Sequence, residues 1–416
     1  MDTPNFQQEL QSFADVTVRV GLNLQAGQRL LIRADLQTAP AVRAVARAAY
    51  AVGCPFVDVI WGDEQLSLVR FQSAPADSFS EIAGWLPATT VEHLRAGGAL
   101  LSIYAATPNL LAAQNPEQVS TAMRAAAQAS MPVSELVQRN ASSWAVVSYP
   151  TPGWAAEVFP ELPVAEAEAQ LWQAIVSTCR LDAADPVAAW QRHLGELNER
   201  CAYMNGKRYD ALRYRGPGTD FTLGLADGHI WAGGDAVSER GQTFVANLPT
   251  EEIFSLPHRA RANGVVRSSR PLSYAGTLIR DFTLAFEGGR VTKIEAATGA
   301  EVLRRLVDTD EGAARLGEVA LVPNSSPISR TGLLFANTLF DENAASHLAL
   351  GNGYRFCVQG GATMDGAQFE AVGGNHSATH VDFMIGSAEL EIDGLAADGA
   401  AEPLMRAGEW AFAIPR

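Results

Sequence analysis

From residue 251 onward the sequence places eight side chains whose donor atoms suit a metal ion. Glu251 and Glu252 stand in Asn-Leu-Pro-Thr-Glu-Glu-Ile-Phe, and Glu318 in Leu-Gly-Glu-Val-Ala-Leu-Val-Pro. Glu342 and His347 stand in Asp-Glu-Asn-Ala-Ala-Ser-His, Tyr354 in Gly-Asn-Gly-Tyr, and His380 and Asp382 in His-Val-Asp. Three of only seven histidines fall between 347 and 380, amid carboxylates and away from any thiolate pair. That mixture suits a borderline-hard divalent ion such as zinc, cobalt or manganese. Four or more carboxylates gathered at one point repel one another unless cations neutralise them. The pattern therefore points to a dinuclear hydrolytic centre.

Each motif also has a plainer reading. Glu251-Glu252, behind a proline that stiffens the chain, has the composition of a solvated acidic turn. Glu318 lies between Gly317 and an apolar run, as a carboxylate entering a buried strand, a place carboxylates seldom occupy unless paired or metal-bound. The stretch 341–347 predicts a helix start, with Asp341 as its cap, Glu342 in the first turn and His347 more than a turn further on. A spacing of five shares a helical face less well than a spacing of four. Gly351 and Gly353 end that helix, and Tyr354 taken alone is an ordinary packed tyrosine. His380 and Asp382, two apart in a strand-like run, share one face, with Val381 and Phe383 on the other. His376, in a glycine-rich loop, is a surface or supporting residue, and His93, His193, His229 and His258 are non-ligands.

The elements that must position these residues divide in two. A chain of 416 residues exceeds what one core usually organises. We expect an α/β N-terminal domain with a mostly parallel sheet over 1–205, and an α+β C-terminal domain carrying the metal site over 206–416. Strand-like runs at 28–33, 55–61, 98–104 and 143–149 alternate with helical segments, one of them over 38–52 with Gly53 as its stop. An alanine-rich helical stretch, 164–205, is interrupted at Pro186 and joins the halves. Shorter β-like runs follow, at 209–214, 221–225 and 283–286. The first half has no G-x-G-x-x-G or Walker-type loop, and the chain has no G-x-S-x-G and no cysteine in an activating motif.

A net charge of -15 without a Lys/Arg block argues against nucleic acid and anionic membranes as partners. No run of 18 apolar residues suggests a membrane span, and the N-terminus lacks the basic and apolar regions of a secretory signal. Cys54, Cys179, Cys201 and Cys357 are scattered, as in a reduced cytoplasmic protein.

Taken together, Asn-Leu-Pro-Thr-Glu-Glu-Ile-Phe, Leu-Gly-Glu-Val-Ala-Leu-Val, Asp-Glu-Asn-Ala-Ala-Ser-His-Leu-Ala-Leu-Gly and Gly-Gly-Asn-x-Ser-x-x-His-Val-Asp resemble the aminopeptidase T / aminopeptidase S family of metalloaminopeptidases. The similarity runs from Gly21 to Gly408-Glu-Trp-Ala. The resemblance implies two divalent metal ions per chain (zinc, cobalt, manganese or magnesium), a homodimer, and removal of N-terminal residues from peptide substrates. Carried over motif by motif, it makes Glu252, Glu318, Glu342, His347, His380 and Asp382 the ligands, with Tyr354 at the metals as ligand or hydrogen-bond donor. A water between two ions, ~3.5–4 Å apart, would attack the scissile carbonyl. Glu318 is the expected bridge and Glu251 a candidate proton shuttle. Apolar neighbours such as Phe254, Leu256 and Phe383 favour hydrophobic first residues. Two other readings compete. A ring-cleaving dioxygenase with one iron on His347, His380 and Asp382 would leave Glu252, Glu318 and Glu342 without a task. A non-catalytic peptide-binding protein would be expected to have lost ligand positions, and none is missing.

Overall fold

Four apolar runs become the strands of a parallel sheet whose two central members are mostly buried. The computed structural model describes residues 4–275 and 277–413, and the chain forms two compact units. The first comprises Met1–His193 and Asp235–Pro249, the second Leu194–Gly234 and Thr250–Arg416. A single cut near residue 205 does not describe this division, since Asp235–Pro249 belongs with the first unit. In that unit, β1 (Leu30–Asp35), β2 (Val57–Gly62), β3 (Ala99–Tyr104) and β4 (Trp144–Ser148) pair in the order β2-β1-β3-β4, all parallel. Leu30, Leu31, Ile32, Ala99, Leu100 and Leu101 are all buried, the near-continuous apolar texture that a doubly covered parallel sheet requires. The expected α/β architecture of the N-terminal half is therefore present.

Helices α1 (Pro4–Val16), α2 (Ala39–Ala51), α3 (Glu64–Ser73), α4 (Trp85–Arg95) and α5 (Pro116–Gln138) precede or connect these strands. α6 (Pro152–Val158), α7 (Val164–Thr178) and α8 (Pro186–Lys207) follow them. On α2 the buried positions are Ala41, Val42, Ala44, Val45, Ala48 and Ala49, one apolar stripe at helical period. Gly53 ends the helix with φ 90°, its N–H donating to the Tyr50 carbonyl. Asn247 bridges in parallel to Val146 of β4, so the Asp235–Pro249 segment covers that strand's otherwise open edge.

The second unit is mainly antiparallel, as the shorter β-like runs suggested. Its larger sheet uses β5 (Ala211–Gly216), β6 (Thr219–Leu225), β8 (Pro257–Arg267), β9 (Thr283–Glu287), β10 (Arg290–Glu295), β14 (Glu391–Leu395), β15 (Ala401–Arg406) and β16 (Glu409–Trp410). A smaller sheet carries the chemistry: β7 (Ile253–Ser255), β11 (Leu316–Leu321), β12 (His347–Gly351) and β13 (His380–Met384), in the order β13-β12-β11-β7. Its register aligns Glu318 with Ala349 and Ala349 with Asp382, His347 with Ala320, and His380 with Gly351. Directly paired residues share a face, so Glu318, His347, His380 and Asp382 all stand on one side. On the other side Val319, Leu321, Leu348, Leu350, Phe383 and Ile385 enter the unit's main core.

Two local features set the site face. Ala320, Ala349 and Gly351 are the neighbours between the polar side chains, and their small size leaves space in front of the sheet. At Gly317 the ladder carries one extra residue, because Leu316 pairs with Leu350 while Glu318 pairs with the adjacent Ala349. Such a bulge re-aims the next side chain. A Cβ at Gly317 would lie 2.3 Å from the carbonyl oxygens of both Gly351 and Asn352. Gly317→Ala must therefore displace backbone at the strand that holds Glu318. We expect it to cost roughly 1–3 kcal/mol, seen as a lower midpoint in urea unfolding followed by circular dichroism. An unchanged midpoint would show that the bulge is not tightly held.

Candidate metal centre

Three strands and one strand entrance bring five acidic or imidazole side chains to a point. Glu252 immediately precedes β7, Glu318 is on β11, His347 opens β12, and His380 and Asp382 are on β13. Ligand atoms of Glu252, Glu318 and His347 lie within 4.8 Å of one another, and so do those of Glu318, His380 and Asp382. Glu318 belongs to both triads and divides its oxygens between them. Its Oε1 is 3.5 Å from His347 Nε2 and its Oε2 3.7 Å from His380 Nε2. Glu252 Oε2 lies 3.1 Å from His347 Nε2, and Asp382 Oδ1 3.4 Å from His380 Nε2.

The two rings are oriented from behind. His347 Nδ1 lies 3.1 Å from the Ala345 carbonyl oxygen, and His380 Nδ1 2.7 Å from that of Asn352. A carbonyl only accepts, so each Nδ1 carries a proton and each Nε2 is turned toward carboxylates, the arrangement common to metal-ligating histidines. Glu252 Oε2 and Asp382 Oδ1 are buried yet receive no hydrogen bond, despite the nearby ring nitrogens, because those contacts are not aligned along an N–H. Buried carboxylate oxygens without donors are costly. Unaligned imidazole nitrogens facing orphaned carboxylate oxygens, in two triads with one shared carboxylate, fit divalent cations.

The electrostatics agree. Burial raises the Glu318 carboxyl above its ordinary range, with His347 and His380 offsetting part of the effect. Burial and the charges of Glu252 and Asp382 hold Glu342 well above its usual value. Burial alone would lower the histidines, but the carboxylates win: His347 stays well above its normal value beside Glu252 and Glu318, and His380 is pushed up to about 10 beside Asp382 and Glu318. Asp382 is buried as well, but His380 brings it below the ordinary carboxylate value. Without metal, protons thus supply the positive charge that the carboxylates demand.

The remaining sequence candidates lie around this cluster. Glu342, half-buried in the turn Glu342–Ala344, interacts with Glu252, Asp382, His347 and Glu318 but is in neither triad. Glu251 is buried, its backbone N–H donating to Asn343 Oδ1 at 2.7 Å, and it also lies outside both triads. The Tyr354 ring centroid is 5.0 Å from that of His380. Burial and the charges of Glu318, Asp382 and Glu342 push its phenol well above the ordinary value, so it stays protonated. His376 is half-buried, and its Nε2 lies 3.2 Å from an Arg355 guanidinium nitrogen.

Three sequence expectations need correction. His347 opens a strand rather than following a helix start, because Ala345 is extended (φ -163°, ψ 156°) and the Ser346 hydroxyl is tied to the Val322 backbone. Asp341 does not cap a helix N-terminus. It ends the short helix Thr338–Asp341, whose cap is Asn337, and accepts from the backbone N–H groups of Phe335 and Asn337. Phe383 and Leu256 are core residues, 1% and 0% exposed, and neither offers a substrate-facing surface. Phe356 was missed by sequence reasoning. It stacks on Tyr354 at 5.2 Å, meets Phe254 edge-on at 6.0 Å, and is 40% exposed. The spacing of two aromatics in Tyr-Arg-Phe was its only signal.

This centre, on a small sheet of the mainly antiparallel second unit, is that of a metal-dependent hydrolase. The sequence matches the family model described as thermophilic metalloprotease (M29) over residues 6–410. It is 46% identical over 410 residues to aminopeptidase 2 of Geobacillus stearothermophilus, covering 98% of this chain and 99% of that one. It is 45% identical over 405 residues to aminopeptidase T of Thermus thermophilus, covering 97% and 99%. The solved structure of wild-type AmpT from Thermus thermophilus superposes with a TM-score of 0.93 at 44% identity, covering 98% of this chain and all of that one. The chain belongs to the thermophilic metalloprotease (M29) family and is a metal-dependent peptide-bond hydrolase. Neither the dioxygenase nor the non-catalytic reading gains support from any of these similarities.

Since protons occupy the atoms that a metal would take, loading must release them. Zinc titrated into chelator-stripped protein in weakly buffered neutral solution with a pH indicator should release on the order of two protons per chain, one from each imidazole. Binding without proton release would place the metal elsewhere.

Proposed function

We propose that the protein is an aminopeptidase that removes single residues, preferably apolar ones, from the free N-terminus of peptides. The observation that carries this reading is the pair of buried triads sharing Glu318, supported by relatives whose names are aminopeptidase 2 and aminopeptidase T. One cation would be held by Glu252, Glu318 and His347, a second by Glu318, His380 and Asp382, with Glu342 completing the set. Such a pair supplies Lewis acidity, lowering the pKa of water and polarising the scissile carbonyl. Zinc, cobalt, manganese and magnesium all remain within this proposal.

The chain's own groups do the rest. The surplus of carboxylates in the cluster attracts the ammonium group of a free N-terminus, which an acetylated peptide lacks. The protonated Tyr354 phenol donates a hydrogen bond to the oxyanion that develops on the carbonyl. Glu251, buried beside Glu252 but outside both triads, is the carboxylate we assign to carrying a proton to the leaving amine. Phe254, Tyr354 and Phe356 make an aromatic wall from His380 out to solvent, against which the first side chain packs.

The metal-loaded protein should cleave leucyl-p-nitroanilide and leave N-acetyl-leucyl-p-nitroanilide intact. Glu251→Gln should lower kcat by roughly 100-fold with metal content unchanged. Cleavage of both substrates, or of neither under any of the four metals, would remove the aminopeptidase reading. Phe356→Ala should lower kcat/KM for leucyl substrates by about tenfold, in line with a partly buried aliphatic side chain losing its cover, and leave alanyl substrates nearly unaffected. An equal loss on both would mean that Phe356 does not contact the first side chain.

A further inference from the structure

In the first unit, the region outside the carboxyl ends of the parallel strands gathers charges that, among the described residues, form no ion pair. Open α/β sheets take small ligands at that end. A cavity of about 400 Å³ is lined there by Phe6 and Leu10 of α1, Arg43 and Arg47 of α2, Tyr149 immediately after β4, and Glu168 of α7. Arg43 and Arg47 are four residues apart and therefore share a helical face. Among the described residues neither guanidinium has an ion-pair or hydrogen-bond partner, and neither does the Glu168 carboxylate.

Tyr149 supplies an independent observation. It is only 3% exposed, and its ring packs against Phe13 and Trp172 at centroid distances of 6.5 and 5.5 Å. Its side chain lines the cavity, and among the described residues its hydroxyl has no hydrogen-bond partner. Burial, with the Glu168 charge nearby, pushes this phenol up to about 12, and burial raises Glu168 as well, offset in part by the positive charge of the chain's amino terminus. Among the described residues, the Tyr149 hydroxyl, two guanidiniums and a partly desolvated carboxylate thus meet in one concavity without a hydrogen-bond or ion-pair partner.

Charges of both signs call for a ligand with both signs. A pair of guanidiniums matches a carboxylate in geometry as well as charge, and a carboxylate short of water gains most from an ammonium group. Phe6 and Leu10 offer apolar surface to a side chain. We propose that this cavity binds a free α-amino acid, its carboxylate on Arg43 and Arg47 with the Tyr149 hydroxyl donating to it, and its ammonium group on Glu168. The site is separate from the metal centre, which belongs wholly to the second unit, and it does not depend on the peptidase proposal.

Equilibrium dialysis of the metal-loaded, full-length protein with radiolabelled leucine tests this directly. The Arg43→Gln/Arg47→Gln double variant should lose one bound leucine per chain, or bind it at least about tenfold more weakly, with kcat/KM on leucyl-p-nitroanilide unchanged. Glu168→Gln, made separately, should weaken leucine binding while leaving that of 4-methylpentanoate, which lacks the ammonium group, unaltered. Leucinamide, which lacks the carboxylate, should displace the label poorly from the wild type. Equal stoichiometry and affinity in wild type and both variants would overturn the proposal. Displacement by inorganic phosphate or 4-methylpentanoate as effective as by leucine would overturn it too, reducing the cavity to a simple anion site.

Discussion

The mutual repulsion of carboxylates held out of water is the constraint around which the second unit is organised. Glu252 and Asp382 lie close enough to Glu318 and Glu342 to add to the effect of burial in raising both carboxyls, and two of the oxygens in the cluster are buried without a donor. No packing of apolar residues relieves that cost, because desolvation of charge is what creates it. Positive charge must come from somewhere. The imidazoles of His347 and His380 supply part of it when protonated, and divalent cations supply more while also meeting the orphaned oxygens. The fold therefore tolerates a cluster that would otherwise oppose it, on the condition that cations or protons are present.

Holding such a cluster requires a scaffold whose stability comes from elsewhere. The small sheet separates the two tasks by face. Val319, Leu348 and Phe383 anchor one side in the main core, with 0%, 0% and 1% exposure, while the opposite side carries donor atoms separated by Ala320, Ala349 and Gly351. Because side chains alternate strictly along a strand, a one-residue slip would turn every ligand into the core. Register is thus both a folding and a catalytic requirement. The bulge at Gly317 adjusts Glu318 alone, without moving its neighbours off the ladder. The ring orientation of each histidine is set by a backbone carbonyl from a loop next to its own or an adjacent strand, so the site's geometry is tied to the sheet at Glu318, His347, His380 and Asp382.

This division of labour explains what the sequence disclosed and what it concealed. The parallel sheet was legible because Leu30–Ile32 and Ala99–Leu101 are apolar on both faces, and the face shared by His380 and Asp382 followed from period two. Glu318 was legible because a lone carboxylate in an apolar run is an anomaly with few explanations. The 341–347 stretch misled because its alanines favour helix, whereas tertiary hydrogen bonds from Asn343 and Ser346 draw it into strand geometry. Local propensity is a weak prior wherever such bonds compete. Its continuation, Leu348-Ala349-Leu350-Gly351, already alternates as a strand should. The spacing of Tyr354 and Phe356 was a weak signal, since their stacking follows from an irregular turn, Arg355–Cys357. The membership of Asp235–Pro249 in the first unit depends on an edge pairing with Val146 between residues some hundred positions apart. No helix among the described residues is long and apolar enough to cross a membrane, in keeping with the composition.

The same constraint also bears on which group can do which chemistry. A phenol that is buried and surrounded by carboxylates is disfavoured as an anion, so Tyr354 keeps its proton and in the proposed reaction would serve as a donor. A carboxylate inside either triad has its lone pairs directed to shared positive charge and is a poor carrier of protons. On the proposed reading, proton transfer then falls to an acid beside the cluster but outside both triads. Glu251, one residue ahead of Glu252 with its backbone N–H on Asn343 and outside both triads, is the acid proposed for that task. Glu342, which the cluster holds well above the ordinary carboxylate range, suits it less well: cations entering the triads would lower its pKa and draw it into their neutralisation. On the proposed reading Glu342 would thus serve the cations and Glu251 the proton.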